Sequence, residues 1–183
     1  MSCITEILKL KGDQDALIPE GNWIAVEGGG TYKGLEYLVV LNTNGHRCGY
    51  VAIPPEHPYS QTPEEERSFM GGRPYKHYDY DSLNIDVHGG LTFMSPTHGL
   101  KDLLTTPCND MWIGFDCGHC YDRCDTEAFR KYYGEDMYDE RESFFNAMNS
   151  YDASVKSFHY AERECHSIID QLLGSQNADT QNI

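Results

Sequence analysis

The sequence predicts an α+β domain, a mainly antiparallel sheet with a C-terminal amphipathic helix packed on it. Two apolar runs of strand character, Leu35 to Leu41 and Arg47 to Ile53, flank Asn44-Gly45, a dipeptide whose tolerance of positive φ suits a two-residue hairpin turn. Near the end of the chain Val155, Phe158, Ala161, Cys165, Ile168, Ile169 and Leu172 fall on one stripe at helical spacing. With 183 residues, 39% of them hydrophobic and 12% aromatic, the chain can bury a single core. One domain is expected over 1–174, followed by a polar, flexible tail over 175–183.

The first ten residues suit a short helix or a strand equally. Trp23 to Val26 reads as a strand ended by Gly28-Gly29-Gly30. The hairpin follows, and Pro54-Pro55 stops its second strand. From Glu56 to Asp81 the chain is rich in Pro, Gly, Tyr and charge, the composition of a long surface excursion. Ile85 to Val87 and Leu91 to Met94 are strand material on either side of His88-Gly89-Gly90. Met111 to Phe115 is a buried strand running into Asp116-Cys117-Gly118-His119-Cys120. The acidic segment Glu135 to Glu142 reads as a solvated face. Asp152 or Ser154 is available to cap the last helix, and Gly174 to stop it.

Charge narrows the function. Lys and Arg number 14 against 29 Asp and Glu, a net charge of −15. Binding to nucleic-acid polymers or anionic membranes needs clustered cations, so both classes are disfavoured. Much of the acid lies in Glu64-Glu65-Glu66, in 135–142 and on the last helix, which leaves room for a small anionic ligand near Arg47 and the histidines. A host protein or a second copy of the chain are the other partners considered. The seven Cys form an odd set, and the N-terminus has neither a basic region nor a sustained apolar run. A cytoplasmic protein with reduced thiols is expected.

Histidines and aspartates recur beside glycine at the ends of strands: His46-Arg47, His57, Asp86-Val87-His88-Gly89-Gly90, Thr97-His98-Gly99 and the run from Asp116 to Cys124. Glycine there removes side-chain bulk and lets a ligand approach the backbone. Cys117 and Cys120 have zinc-like spacing, with Cys108, His119 and Cys124 available to complete four ligands. Alternatively Asp116, His119 and Asp122 could hold a divalent metal such as zinc, or His46, His88, Asp116 and His119 could serve as acid and base groups for hydrolysis. Arg47 is the natural phosphate contact, with His57 and an aromatic such as Tyr78 lining the ligand site. The bland readings are that Asp116 and Asp122 cap a turn and that His119 packs.

Three stretches carry a resemblance: Gly45-His46-Arg47-Cys48-Gly49-Tyr50-Val51, then Val87-His88-Gly89-Gly90-Leu91-Thr92, then Trp112-Ile113-Gly114-Phe115-Asp116-Cys117-Gly118-His119. In this order, with His57-Pro58 and Glu164-Cys165, they resemble a family of small proteins encoded by tailed bacteriophages and prophages. Members of that family read Asp-Cys-Ala-His-Ala-Gly-Asp over 116–122, so Cys120 departs from the pattern, which counts against it as a zinc ligand. The resemblance implies a phage context and, with it, the host cytoplasm. The function expected is a small hydrolase, such as a phosphodiesterase acting on a nucleotide-like signal. The alternative is a binding protein that sequesters such a signal or blocks a host defence protein.

Overall fold

The structure is a computed structural model that describes residues 3–20, 24–62, 64–68, 74–96, 110–149 and 153–179. It begins with helix α1 (Cys3–Lys11), followed by strands β1 (Ile24–Tyr32), β2 (Leu35–Asn42) and β3 (Arg47–Ile53). A small hairpin, β4 (Glu64–Ser68) and β5 (Pro74–Tyr78), lies between two 3₁₀ turns at Pro58–Gln61 and Tyr80–Leu83. Then come β6 (Phe93–Ser95), β7 (Met111–Asp116), β8 (Asp122–Arg123), α2 (Thr126–Tyr133), α3 (Glu135–Met148), β9 (Ser154–Val155) and α4 (Phe158–Asp179). The main sheet has the order β1-β2-β3-β7-β6, with every neighbour antiparallel. The α+β class read from sequence is what the chain adopts. No helix among the described residues is long and apolar enough to cross a membrane.

Period-two alternation divides the sheet's side chains between two layers. Tyr37, Val39, Val51, Ile53, Ile113 and Phe115 join Ala161, Cys165, Ile168, Ile169 and Leu172 of α4 in one core. Leu38, Val40, Cys48, Ala52 and Trp112 face the other way, onto Ile4 and Ile7 of α1. A third cluster, with Leu41, Cys124, Phe129, Tyr138 and Phe145, seats α2 and α3 against the end of the sheet. Gly49 allows α4 to approach, because a Cβ there would lie 2.3 Å from the Phe115 ring and 2.7 Å from Cys165 Sγ.

Several local expectations are corrected. The β2–β3 connection is a three-residue loop: Asn42 N donates to His46 O at 2.9 Å and Gly45 N to Asn42 O at 3.0 Å. Only Gly45 takes a positive φ, +75°, as in a type I turn closed by a glycine bulge. Strand β1 does not end at Gly28 but shifts register between Val26 and Gly28 and continues to Tyr32. Gly29 makes that pairing possible, since a Cβ there would lie 2.3 Å from the Tyr37 carbonyl oxygen. The acidic segment from Glu135 is, as read, a solvated face: it is the exposed side of α3, which buries Tyr138 and Phe145 on its other side. Residues 85–87 form no strand, and the excursion from Glu56 contains the β4–β5 hairpin.

Helix α4 starts after Ser157, whose Oγ accepts from Tyr160 N at 3.2 Å. Val155 instead lies exposed in β9. The helix runs through Gly174 to Asp179, because a glycine inside a helix costs only about 1 kcal/mol relative to alanine.

Candidate functional site

The loop from Asp116 to Asp122 leaves the end of β7 and gathers most of the candidate residues. It is pinned at several points: Cys117 N donates to Arg47 O at 2.8 Å, and Gly118 N to Asp116 Oδ1 at 2.9 Å. Asp122 N closes a turn on His119 O at 3.0 Å, and Ser154 N donates to Tyr121 O at 3.0 Å. Within this turn Tyr121 holds φ +74°, a left-handed conformation that costs a non-glycine residue about 1–2 kcal/mol.

Residues 86–88 lie along α4, held by a polar row one and two turns apart. Gln171 exchanges hydrogen bonds with Asp86 N and O at 2.8 and 2.7 Å. Glu164 accepts from His88 N at 2.8 Å. Tyr160 Oη lies 2.9 Å from His88 Nδ1. The other imidazole nitrogen, Nε2, lies 2.6 Å from Asp122 Oδ2. With neutral His88, the arrangement that satisfies all three groups is Tyr160 O–H to Nδ1 and Nε2–H to Asp122.

Asp122 is buried. That alone would raise its carboxyl, but bonds from His88, from His119 N at 3.1 Å and from Lys156 Nζ at 3.4 Å hold it below the ordinary carboxylate range. Burial and the charge of Glu164 keep Tyr160 above the usual phenol range, so it remains a donor at neutral pH. Lys156 and the exposed Arg163 flank the Tyr160 ring at 5.5 and 5.9 Å.

His119 stands beside this chain, its ring 5.7 Å from that of His88. Its Nε2 turns inward, 3.8 Å from Asp116 Oδ1, into the space where a Gly89 Cβ would sit, 1.9 Å away. Gly89 itself has φ +68°, so both its conformation and its missing side chain are required. A cleft of about 430 Å³, lined by Gly118, His119, Cys120, Tyr121, Asp122 and Met148, opens on the same loop.

His88, Asp116, His119 and Asp122 are thus brought together. His46 joins them from beneath: it is buried, 3.4 Å from Cys124 Sγ through Nε2, with its Cδ2 3.4 Å from where a Gly118 Cβ would stand. Burial pushes its imidazole below the usual histidine range. It supports the loop and does not line the cleft.

The other candidates are elsewhere. Arg47, read as the phosphate contact, is 6% exposed and already engaged. Its Nε and Nη2 grip both Glu27 oxygens at 2.8 and 2.9 Å, and Nη1 donates to Asp125 Oδ2 at 2.7 Å and Lys156 O at 2.8 Å. A guanidinium so bound has no face to offer a phosphate. His57 caps the 3₁₀ turn after β3, accepting from Tyr59 N at 3.2 Å, and Tyr78 packs on the α4 core. Neither lines the cleft on the Asp116–Asp122 loop.

The metal assignments also need correction. Among the described residues no three His, Cys, Asp or Glu are placed to hold a metal ion. In the trio of Asp116, His119 and Asp122, the Asp122 oxygens face His88, a backbone N–H and the Lys156 ammonium, and an ammonium repels a second cation. Nor do the described thiols gather into a zinc site: Cys117 and Cys124 are buried and Cys120 is exposed. Cys108 and His98 lie outside the described residues.

Sequence reading missed Tyr160, Lys156 and Glu164 as partners of the site. Tyr160 and Glu164 are four residues apart on α4, one step off its apolar stripe, and that spacing is the signal that could have found them. No protein-family model, curated protein or solved structure matches the chain.

Proposed function

We propose that the chain is a small hydrolase acting on an anionic ester, with the phosphoester of a nucleotide-like molecule as the foremost substrate class. The observation that carries this reading is His88 held between Asp122 and Tyr160. An imidazole oriented by a buried carboxylate is the arrangement needed to accept a proton and stabilise the imidazolium that forms. Both His88 nitrogens are occupied, so the group that meets water is the Tyr160 oxygen.

In the proposed step, water attacks the electrophilic phosphorus or carbon and gives one proton to Tyr160 Oη as the phenol proton passes to His88 Nδ1. In its protonated form His119, beside the Asp116 carboxylate, gives its Nδ1 proton to the leaving oxygen. The new bond is between water oxygen and the electrophile, the broken bond is the ester bond, and the products are an alcohol and an acid. Solvent then returns the His88 proton to His119. Lys156 and Arg163, on either side of Tyr160, supply the positive charge once assigned to Arg47. A phage context would place the reaction in the host cytoplasm.

A second reading, capture without turnover, is favoured by the same occupancy of both His88 nitrogens, which also describes a rigid binding wall. Incubation with linear and cyclic nucleotides and with simple phosphodiesters, with and without EDTA, separates the two. Catalytic product formation that survives EDTA and is lost in His88→Ala supports the hydrolase. Stoichiometric depletion, with intact ligand released on heating, supports capture and overturns it.

A further inference from the structure

We infer that the cleft beside His119 is the subsite for a planar aromatic ring of the substrate, with Tyr121 as its stacking platform. The inference rests on the hydrolase reading for the name substrate, but the ring site stands on its own geometry.

Tyr121 is 74% exposed, so its ring gains little from folding. It is nonetheless carried on a backbone at φ +74°, a conformation that glycine adopts without strain. An outlier of this kind that contributes little to packing points to a role outside the fold. The backbone on either side is clamped, by Asp122 N on His119 O at 3.0 Å and Ser154 N on Tyr121 O at 3.0 Å, so the point from which the ring projects is set by the scaffold.

Met148, 42% exposed, lines the same cleft. Cys124 N donates to Asn149 Oδ1 at 2.8 Å, which ties the end of α3 to the strand leaving the loop and brings Met148 to the cleft. Two of the most exposed large apolar side chains among the described residues therefore meet here from segments far apart in sequence. An aromatic ring, a thioether and the His119 imidazole are the surfaces that take a flat π-system.

The occupant is a small molecule and not a protein. A volume of about 430 Å³ lies within the range of small-ligand sites, roughly 300–1,000 Å³. A stable protein interface would cover about 800 Å² of each partner. Asp122 belongs to the cleft and also holds His88, so the ring site and the proton-transfer groups share a side chain, and His119 lies in both. The ligand class is an anion joined to a heteroaromatic ring.

The test compares adenosine 5′-monophosphate with ribose 5-phosphate by isothermal titration calorimetry on the full chain, with no turnover required. Tighter binding of the adenosine compound, reduced about tenfold or more by Tyr121→Ala and retained by Tyr121→Phe, supports the ring site. Tyr121→Gly removes the ring while relieving the backbone, and it should melt no lower than the parent. Equal affinity for the two probes, no binding of either, or undiminished binding in Tyr121→Ala overturns the proposal. Cleavage of a ring-free phosphodiester by the parent protein, together with equal affinity for the two probes, shows that the hydrolase reading stands while the ring site fails.

Discussion

His88 Nε2 lies 2.6 Å from Asp122 Oδ2, joining the segment that lies along α4 to the loop that leaves β7. The bond fixes which proton the imidazole carries, and it sets Nδ1 against Tyr160 at 2.9 Å. Replacing the Tyr160 hydroxyl breaks the outward end of this chain without disturbing its buried end. Tyr160→Phe should therefore lower turnover about 10²-fold or more while costing about 1 kcal/mol of stability, the worth of one hydrogen bond. Paired rate and urea-denaturation measurements separate the two effects.

Arg47 serves the fold. Its removal strands the buried Glu27 carboxylate and leaves Asp125, the cap of α2 that accepts from Ala128 N at 3.0 Å, without its guanidinium partner. Arg47→Met should destabilise the protein by about 3–5 kcal/mol. Thermal melting checks this, and a variant that folds should bind small anions as the parent does.

Gly89 is the tightest point around His119. Gly89→Ala would force a methyl into space held by His119 Nε2, 1.9 Å from the ideal Cβ position, on a backbone at φ +68°. The imidazole must turn out of its place beside Asp116. Turnover should fall by at least tenfold, and a shift in the His119 ring resonances by NMR would report the displacement.

Acid should weaken the fold in two stages. His46 is buried and held below the ordinary histidine value, so the unfolded chain takes up its proton first. Its stability contribution is complete above about pH 6.5 and declines as pH falls through that value towards the folded one. Asp122, Asp116 and His119 act on it, the carboxylates opposing the burial effect. Asp122, with a depressed carboxyl, adds stability above about pH 4 that is lost on further acidification through its folded value. Denaturant midpoints from pH 8 to pH 3 should show both declines, with the first shallower in His46→Gln. Burial lowers His57 as well, so some of the first decline remains.

The parts of this structure legible in the sequence are those set by apolar pattern. Leu35 to Leu41 and Met111 to Phe115 are continuous apolar runs, buried on both faces, and the 161–172 stripe of α4 declares its buried face by spacing. Gly45 announced a turn, but whether two or three residues close it depends on the Asn42–His46 bonding. Helices α2 and α3 were hidden because their residues are largely polar and each buries few side chains, Phe129 in one and Tyr138 and Phe145 in the other. The site was half legible. Glycine beside His and Asp marked His88, Asp116, His119 and Asp122. The same pattern at Arg47 misled, because the Glu27 and Asp125 carboxylates that claim its guanidinium lie 20 and 78 residues away and leave no local trace.

The direct measurement is the rate of Asp122→Asn on whichever phosphoester the wild-type protein cleaves, taken on samples shown by circular dichroism to be folded. The side-chain amide keeps the size of the carboxylate but not the charge that supports a His88 imidazolium. A fall in turnover of about 10²- to 10⁴-fold is expected. Turnover equal to that of the wild type, or a wild type that cleaves no phosphoester at all, would contradict the account.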